Sequence, residues 1–144
     1  MSIRTAILLL FAAASALAAS PMSPVGRWKT FDDKTGALHG LVEITEEQGA
    51  LKGRILKSYD PLKPNPTCDL CEGERKGQPT IGMVFLWGLT GKGEEFTGGF
   101  ILDPDNGKVY KAKLKLNEGG RKLLVRGFIG ISLIGRTQTW VRED

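Results

Sequence analysis

The only two cysteines of the chain, Cys68 and Cys71, are separated by two residues in the stretch Asn65-Pro66-Thr67-Cys68-Asp69-Leu70-Cys71-Glu72. Three chemistries use that spacing. A dithiol redox centre places its first cysteine at a helix N-terminus, where the dipole stabilises the thiolate. Here Glu72-Gly73-Glu74 follows, with no helical pattern and no βαβ unit around it. A structural zinc site needs about four ligands. Beyond the pair the chain offers one histidine, His39, far away in sequence, with Asp69, Glu72 or Glu74 as poor completions unless two chains share a site. The third chemistry is a disulfide, which an oxidising compartment supports. So small a ring removes little unfolded-chain entropy and acts mainly on the shape of its loop. Cys68 and Cys71 are therefore read as a disulfide, with no metal or cofactor expected.

Other reactive groupings are thin. Asp103-Pro104-Asp105-Asn106-Gly107 resembles a calcium loop only superficially: its glycine comes one position early, and Leu114 stands where the twelfth-position glutamate belongs. It reads as a hairpin turn. Gly88-Leu89-Thr90-Gly91-Lys92-Gly93 lacks Walker spacing and a following helix. Asp32-Asp33 ends an apolar run and reads as a solvated turn, although paired carboxylates can do acid–base work. His39 sits in an expected loop, and no serine lies in a nucleophile-elbow context. No catalytic residues are assigned, and an enzyme is not expected.

The N-terminus bears on the compartment. Arg4 precedes the apolar run Ile7 to Ala14, and Ala16-Leu17-Ala18 is a small-residue cleavage site. Residues 1–18 are read as a signal peptide, 19–24 as a short linker and 25–144 as one domain, periplasmic or secreted. The apolar run is short for a membrane span, and Ser20-Pro21-Met22-Ser23-Pro24 would break a helix continuing from it. No transmembrane anchor is expected in the mature chain. A net charge of +4 permits an anionic partner without requiring one. Nucleic acid is disfavoured by export, by that modest charge and by the absence of an aromatic stripe among the lysines.

The elements that must carry these residues are strands. In Lys108 to Leu116, the residues Tyr110, Ala112, Leu114 and Leu116 alternate with Lys111, Lys113 and Lys115, a period no helix keeps on one face. Similar segments occur at 25–31, 41–46, 50–57, 82–89, 95–103, 121–129 and 135–142, most of them separated by Gly, Asn and Asp turn chemistry. The fold expected is all-β, an eight-stranded antiparallel meander closing into a small barrel, which removes its edges and at that strand number can enclose one small ligand. Residues 58–81 break the rhythm. They hold four of the seven prolines and both cysteines, and are read as a long stapled loop forming a rim or lid over the barrel mouth.

Gly26-Arg27-Trp28 on the first strand, with an arginine on the last to cover the indole, resembles the lipocalin and wider calycin barrels. The physical sense is a cation–π contact sealing the closed end. Arg142 is the first choice for that arginine and Arg136 the second. Most of the chain more specifically resembles the domain of unknown function 2147 family of exported bacterial proteins. The resemblance is carried by Gly26 to Thr30 with Asp33, the Cys68 and Cys71 pair, Gly98 to Pro104, Gly107 to Tyr110, Arg126 to Gly130 and Gly135 to Trp140. It implies a lipocalin-like barrel and brings no established activity.

Two surfaces are candidates for binding. Phe85, Trp87, Phe100, Tyr110 and Phe128 lie on barrel-wall strands and are expected to face an interior that is either filled or hollow enough for a small apolar or amphipathic ligand. The sixth and seventh strands place Lys111, Lys113, Lys115, Lys122 and Arg126 on one outer face, where like charges repel unless water, salt or an anion screens them. The first surface makes the protein an exported, non-enzymatic carrier of a small lipophilic ligand. The second makes it a solid barrel that contacts an anionic envelope component or a protein partner. The apolar connection Ile131-Ser132-Leu133-Ile134 is read as strand continuation or an end plug.

Overall fold

Alternating sequence becomes eight antiparallel strands in the computed structural model, which describes residues 23–131 and 134–144. The expected signal peptide, most of the linker, and Ser132 with Leu133 lie outside the described residues. The strands are β1 (Gly26–Phe31), β2 (Leu38–Glu47), β3 (Ala50–Ser58), β4 (Val84–Lys92), β5 (Glu95–Asp103), β6 (Lys108–Asn117), β7 (Lys122–Phe128) and β8 (Gly135–Arg142). Each pairs with the next, and β8 returns to β1 through Trp28 opposite Arg142 and Lys29 opposite Val141, closing the barrel. Closure satisfies the backbone groups that an open edge would leave unpaired.

Alternation decides what lies inside. On β6 the inward set is Ala112, Leu114 and Leu116, opposite Gly127, Val125 and Leu123 of β7. Trp28, Ile44, Leu86, Leu89 and Trp140 are also fully buried, and these residues join one contiguous core. Both interior indoles have partners: the Trp28 N–H donates to the Pro24 carbonyl at 2.8 Å, and the Trp140 N–H donates to Gln138 Oε1 at 3.0 Å. Among the described residues, no buried side-chain nitrogen or oxygen lacks a hydrogen-bond partner. Among the described residues the barrel interior is a packed core, with no buried side-chain polar atom left unpaired to orient a guest.

One end is sealed as the sequence suggests. The Arg142 guanidinium lies 4.3 Å from the centre of the Trp28 ring. It donates to the carbonyls of Gly120 at 2.8 Å, Val25 at 2.9 Å and Ser23 at 2.6 Å. Burial lowers the Arg142 pKa from its ordinary value, and three carbonyls stand in for lost water. Gly26 is part of the seal: its φ is +139°, and a β-carbon there would come within 2.7 Å of the guanidinium. Arg136, the second choice, lies near the other end of the same strand and bonds Asp33 at 2.9 Å instead. Its place near the start of β8 puts it at the opposite end of the barrel from Trp28.

That opposite end carries the β1–β2 and β5–β6 turns, the β7–β8 connection and residues 59–83. In the β1–β2 turn, Asp32 Oδ1 accepts from the N–H groups of Thr35 at 2.8 Å and Lys34 at 2.9 Å, and from the Thr35 hydroxyl at 3.1 Å. These bonds favour the ionised form and lower the carboxyl pKa. A depressed folded value means the contribution is complete above the unfolded pKa and is lost as pH falls through the folded one. Asp32→Ala is therefore expected to be less stable than the parent at neutral pH, with the gap closing in acid. Urea midpoints across a pH series check this, and a gap that stays constant into acid would show that charge does not hold the turn.

Strand boundaries depart from the sequence reading in two places. β2 begins at Leu38, so His39 is on a strand and exposed rather than in a loop, and β4 runs from Val84 to Lys92. The cysteine pair forms the expected disulfide, buried at both residues. Its half of the long loop is a strap at the rim of the loop end, with Cys68 Sγ 3.6 Å from the Pro104 carbonyl oxygen and the Leu70–Cys71 backbone packed on Gly107 in the β5–β6 turn.

Candidate functional site

The five aromatics expected to face the interior divide. Phe85 does face it, because the β3–β4 register slips between Gly53 and Arg54. The bulge turns Phe85 inward beside Leu86, and its ring packs 5.9 Å from that of Trp140. Tyr110 takes the inward parity of Ala112 near the loop end, and its hydroxyl accepts from the Asn106 side-chain amide at 2.9 Å. Trp87, Phe100 and Phe128 point outward. Inward positions pair with inward ones, and the registers run Trp87 to Phe100, Phe100 to Lys111 and Lys111 to Phe128. Lys111 belongs to the solvent face of β6, so the three aromatics share that face.

The result is an unbroken cross-strand row over β4 to β7: Trp87, Phe100, Lys111 and Phe128. Trp87 and Phe100 stack with ring centres 5.9 Å apart. Arg75, carried on the strap in the 3₁₀ turn Gly73–Arg75, lies 4.7 Å over the Trp87 ring, and Lys113 is 5.8 Å from the ring of Phe128. Beyond Phe100 the row opens into a groove of about 280 Å³ between Phe100, Val109, Lys111, Phe128 and Ile129. A second hollow of about 310 Å³ lies at the other end of the row, where Trp87 meets Ala50, Lys52 and Glu47.

The basic wall also divides. Lys115 approaches Glu95 at 3.8 Å and Lys122 bonds Glu118 at 3.1 Å, while Arg126 donates to the Thr137 hydroxyl at 3.0 Å. Lys111 and Lys113 make no ion pair among the described residues. Positive charge without a carboxylate partner is thus concentrated beside the groove, and the half of the wall near the sealed end is largely compensated. Cross-strand proximity of the lysines was legible in the sequence, but the neutralising glutamates come from neighbouring turns and strands.

A polar chain at the loop end had no sequence signal. Gln138 accepts from the Trp140 indole and donates to Asp33 Oδ2 at 3.2 Å, which also takes the Arg136 bond. The Asp32-Asp33 pair is thereby committed: one carboxylate holds a turn, and the other ties that turn to β8. Among the described residues no three His, Cys, Asp or Glu side chains are grouped to hold a metal, and no helix is long and apolar enough to cross a membrane.

A closed eight-stranded antiparallel barrel, sealed at one end by an arginine over a first-strand tryptophan, defines a lipocalin-like fold. Protein HP1028 from Helicobacter pylori, described as belonging to the lipocalin family, is similar over 85% of this chain and 84% of its own, with a TM-score of 0.75 and 21% identity. Residues 26–142 match the family described as uncharacterized protein conserved in bacteria, DUF2147, and the chain belongs to that family. No curated protein matches it.

Proposed function

We propose that this protein is a non-enzymatic binding protein of the bacterial envelope that holds an amphipathic anion against its outer wall rather than inside its barrel. The row Trp87, Phe100, Lys111 and Phe128 carries this reading, because it joins aromatic surface to a lysine that has no ion-pair partner among the described residues, beside a groove. The apolar part of the ligand lies along Phe100, Val109 and Phe128, and its anionic group meets Lys111 and Lys113. Aromatic faces supply contact area at little entropic cost, and a charge at the rim fixes orientation. The filled interior supports the same choice. A carrier with an internal cup would need space that Trp28, Trp140, Phe85 and the leucines occupy.

Lysophosphatidylglycerol, kept below its micellar concentration, is a suitable probe because it combines one acyl chain with one phosphate. Phe128→Ala and Lys111→Gln are each expected to weaken its binding by about tenfold. Lys122→Gln, whose charge is already paired with Glu118, is expected to bind as the parent does. Calorimetric titration checks the set. Equal affinities for all four proteins, or no binding by any, would refute the outer-wall reading.

A further inference from the structure

Between Tyr59 and Pro79 the chain buries two residues, Cys68 and Cys71, and every other residue of that stretch is half-buried or exposed. Even its leucines, Leu62 and Leu70, are 89% and 64% exposed. The disulfide is therefore the strap's apolar anchor, and both half-cystines join the core cluster of the barrel. Backbone hydrogen bonds hold the strap to itself. The Cys68 N–H donates to the Gln78 carbonyl and the Gly77 N–H to the Cys68 carbonyl, both at 2.8 Å, while the Thr80 N–H donates to the Pro66 carbonyl at 3.0 Å. The strap meets the barrel at Pro104 and Gly107, both beside the disulfide, and at Trp87 beneath Arg75.

A segment with so little buried surface opens locally at less cost than the barrel unfolds, so a reductant reaches the buried sulfurs while the strands stay paired. Breaking the bond moves the two sulfurs from bonding distance to van der Waals contact in a seat where backbone already touches Gly107. The reduced pair no longer fits. We propose that the Cys68–Cys71 disulfide is a redox control on the outer-wall site: oxidised, it holds Arg75 over Trp87, and reduced, it releases the strap and lengthens the aromatic row. The reductant is a dithiol. One of its thiolates attacks a cystine sulfur and forms a mixed disulfide, and the other sulfur leaves as a thiolate and takes up a proton. The second thiol of the reductant then displaces the chain, which keeps two thiols while the reductant departs as a disulfide. Once uncovered, Trp87 joins the Phe100 end of the row to the hollow beside Ala50 and Lys52. The exposed carboxylates Asp69, Glu72 and Glu74 leave with the strap, which removes charge of the same sign as the ligand.

This inference rests on the outer-wall reading but fails separately from it. The oxidised protein and the protein reduced with dithiothreitol are compared first without ligand, then by titration with lysophosphatidylglycerol in matched buffers. Reduction without denaturant is expected to open both thiols to iodoacetamide while circular dichroism keeps its β signal, because the eight strands pair without the strap. Acrylamide quenching of tryptophan fluorescence is expected to rise as Trp87 is uncovered, and the probe to bind about fivefold more tightly. Cys68→Ala combined with Cys71→Ala lacks the bond in either condition, and is expected to match the reduced parent and to ignore dithiothreitol. Arg75→Ala keeps the disulfide, and is expected to raise quenching in the oxidised state. A disulfide that resists dithiothreitol until the barrel unfolds, or quenching unchanged by reduction, would overturn the control. Equal or weaker binding after reduction would overturn it too, and in all three cases an oxidised parent that binds the probe leaves the outer-wall site standing. No binding in either redox state would refute both.

Discussion

Trp28→Ala is expected to lower the free energy of unfolding by about 3–5 kcal/mol, the range for truncating a fully buried aromatic. The indole is completely buried, so its loss opens a cavity where the first and last strands meet. Two further interactions go with it. Pro24 loses the N–H it accepts, and the Arg142 guanidinium loses the ring beneath it while still tied to three carbonyls. Trp28→Phe separates the parts, since it keeps an aromatic ring and removes the donor, and is expected to be clearly milder. Urea unfolding followed by circular dichroism measures both. A loss below about 1 kcal/mol for the alanine variant, within the range of ordinary surface substitutions, would show that the seal does not hold the barrel closed.

Gly107→Ala is expected to be the second most damaging single change, at about 2–4 kcal/mol. Gly107 has φ +74°, and a β-carbon there would run into the Leu70 carbonyl and the Cys71 nitrogen. Backbone on both sides leaves no flexible side chain to give way, so the strap must lift from the β5–β6 turn. Lifting it would carry Arg75 off Trp87, which links a backbone substitution to an optical signal. Acrylamide should quench tryptophan fluorescence more strongly in the variant, because Trp87 becomes accessible while Trp28 and Trp140 stay buried. Gly36→Ala is the control. Its φ of +72° is equally unfavourable, but a β-carbon there meets nothing within 4 Å, so only local strain of about 1 kcal/mol is expected. Equal losses at the two glycines would mean that the strap is not packed as described.

The barrel was legible in the sequence because period-two alternation survives on most strands, and Lys108 to Leu116 fixes which residues face in. The seal was legible through Trp28 and Arg142, since first and last strands must meet if the sheet closes. The orientation of the aromatics was not. Bulges at Phe85 and at Gly88 shift the parity of β4 twice, so Phe85, Leu86 and Leu89 all point inward while Trp87 points out. Gly88, with φ +78°, is a residue type that favours such a slip, but nothing local announces the one at Phe85. Phe100 and Phe128 are exposed to water or half-buried on the outer face, against the expectation that large aromatics line the inside, and only the registers place them beside Lys111. The seat of the strap was not legible for a related reason: prolines and a disulfide mark a shaped loop, but where it packs depends on Gly107 and Trp87, distant in sequence.

The central claim is that ligand meets the outside of a filled barrel, and methyl-resolved NMR during titration with lysophosphatidylglycerol tests it most directly. The methyl signals of Val109 and Ile129 should shift and saturate together, while those of Leu114, Leu123 and Val125 and the indole N–H signals of Trp28 and Trp140 stay in place. Saturable shifts of the interior methyls and of the Trp140 indole, with Val109 and Ile129 unmoved, would show that the barrel opens to take its ligand inside and would contradict the account.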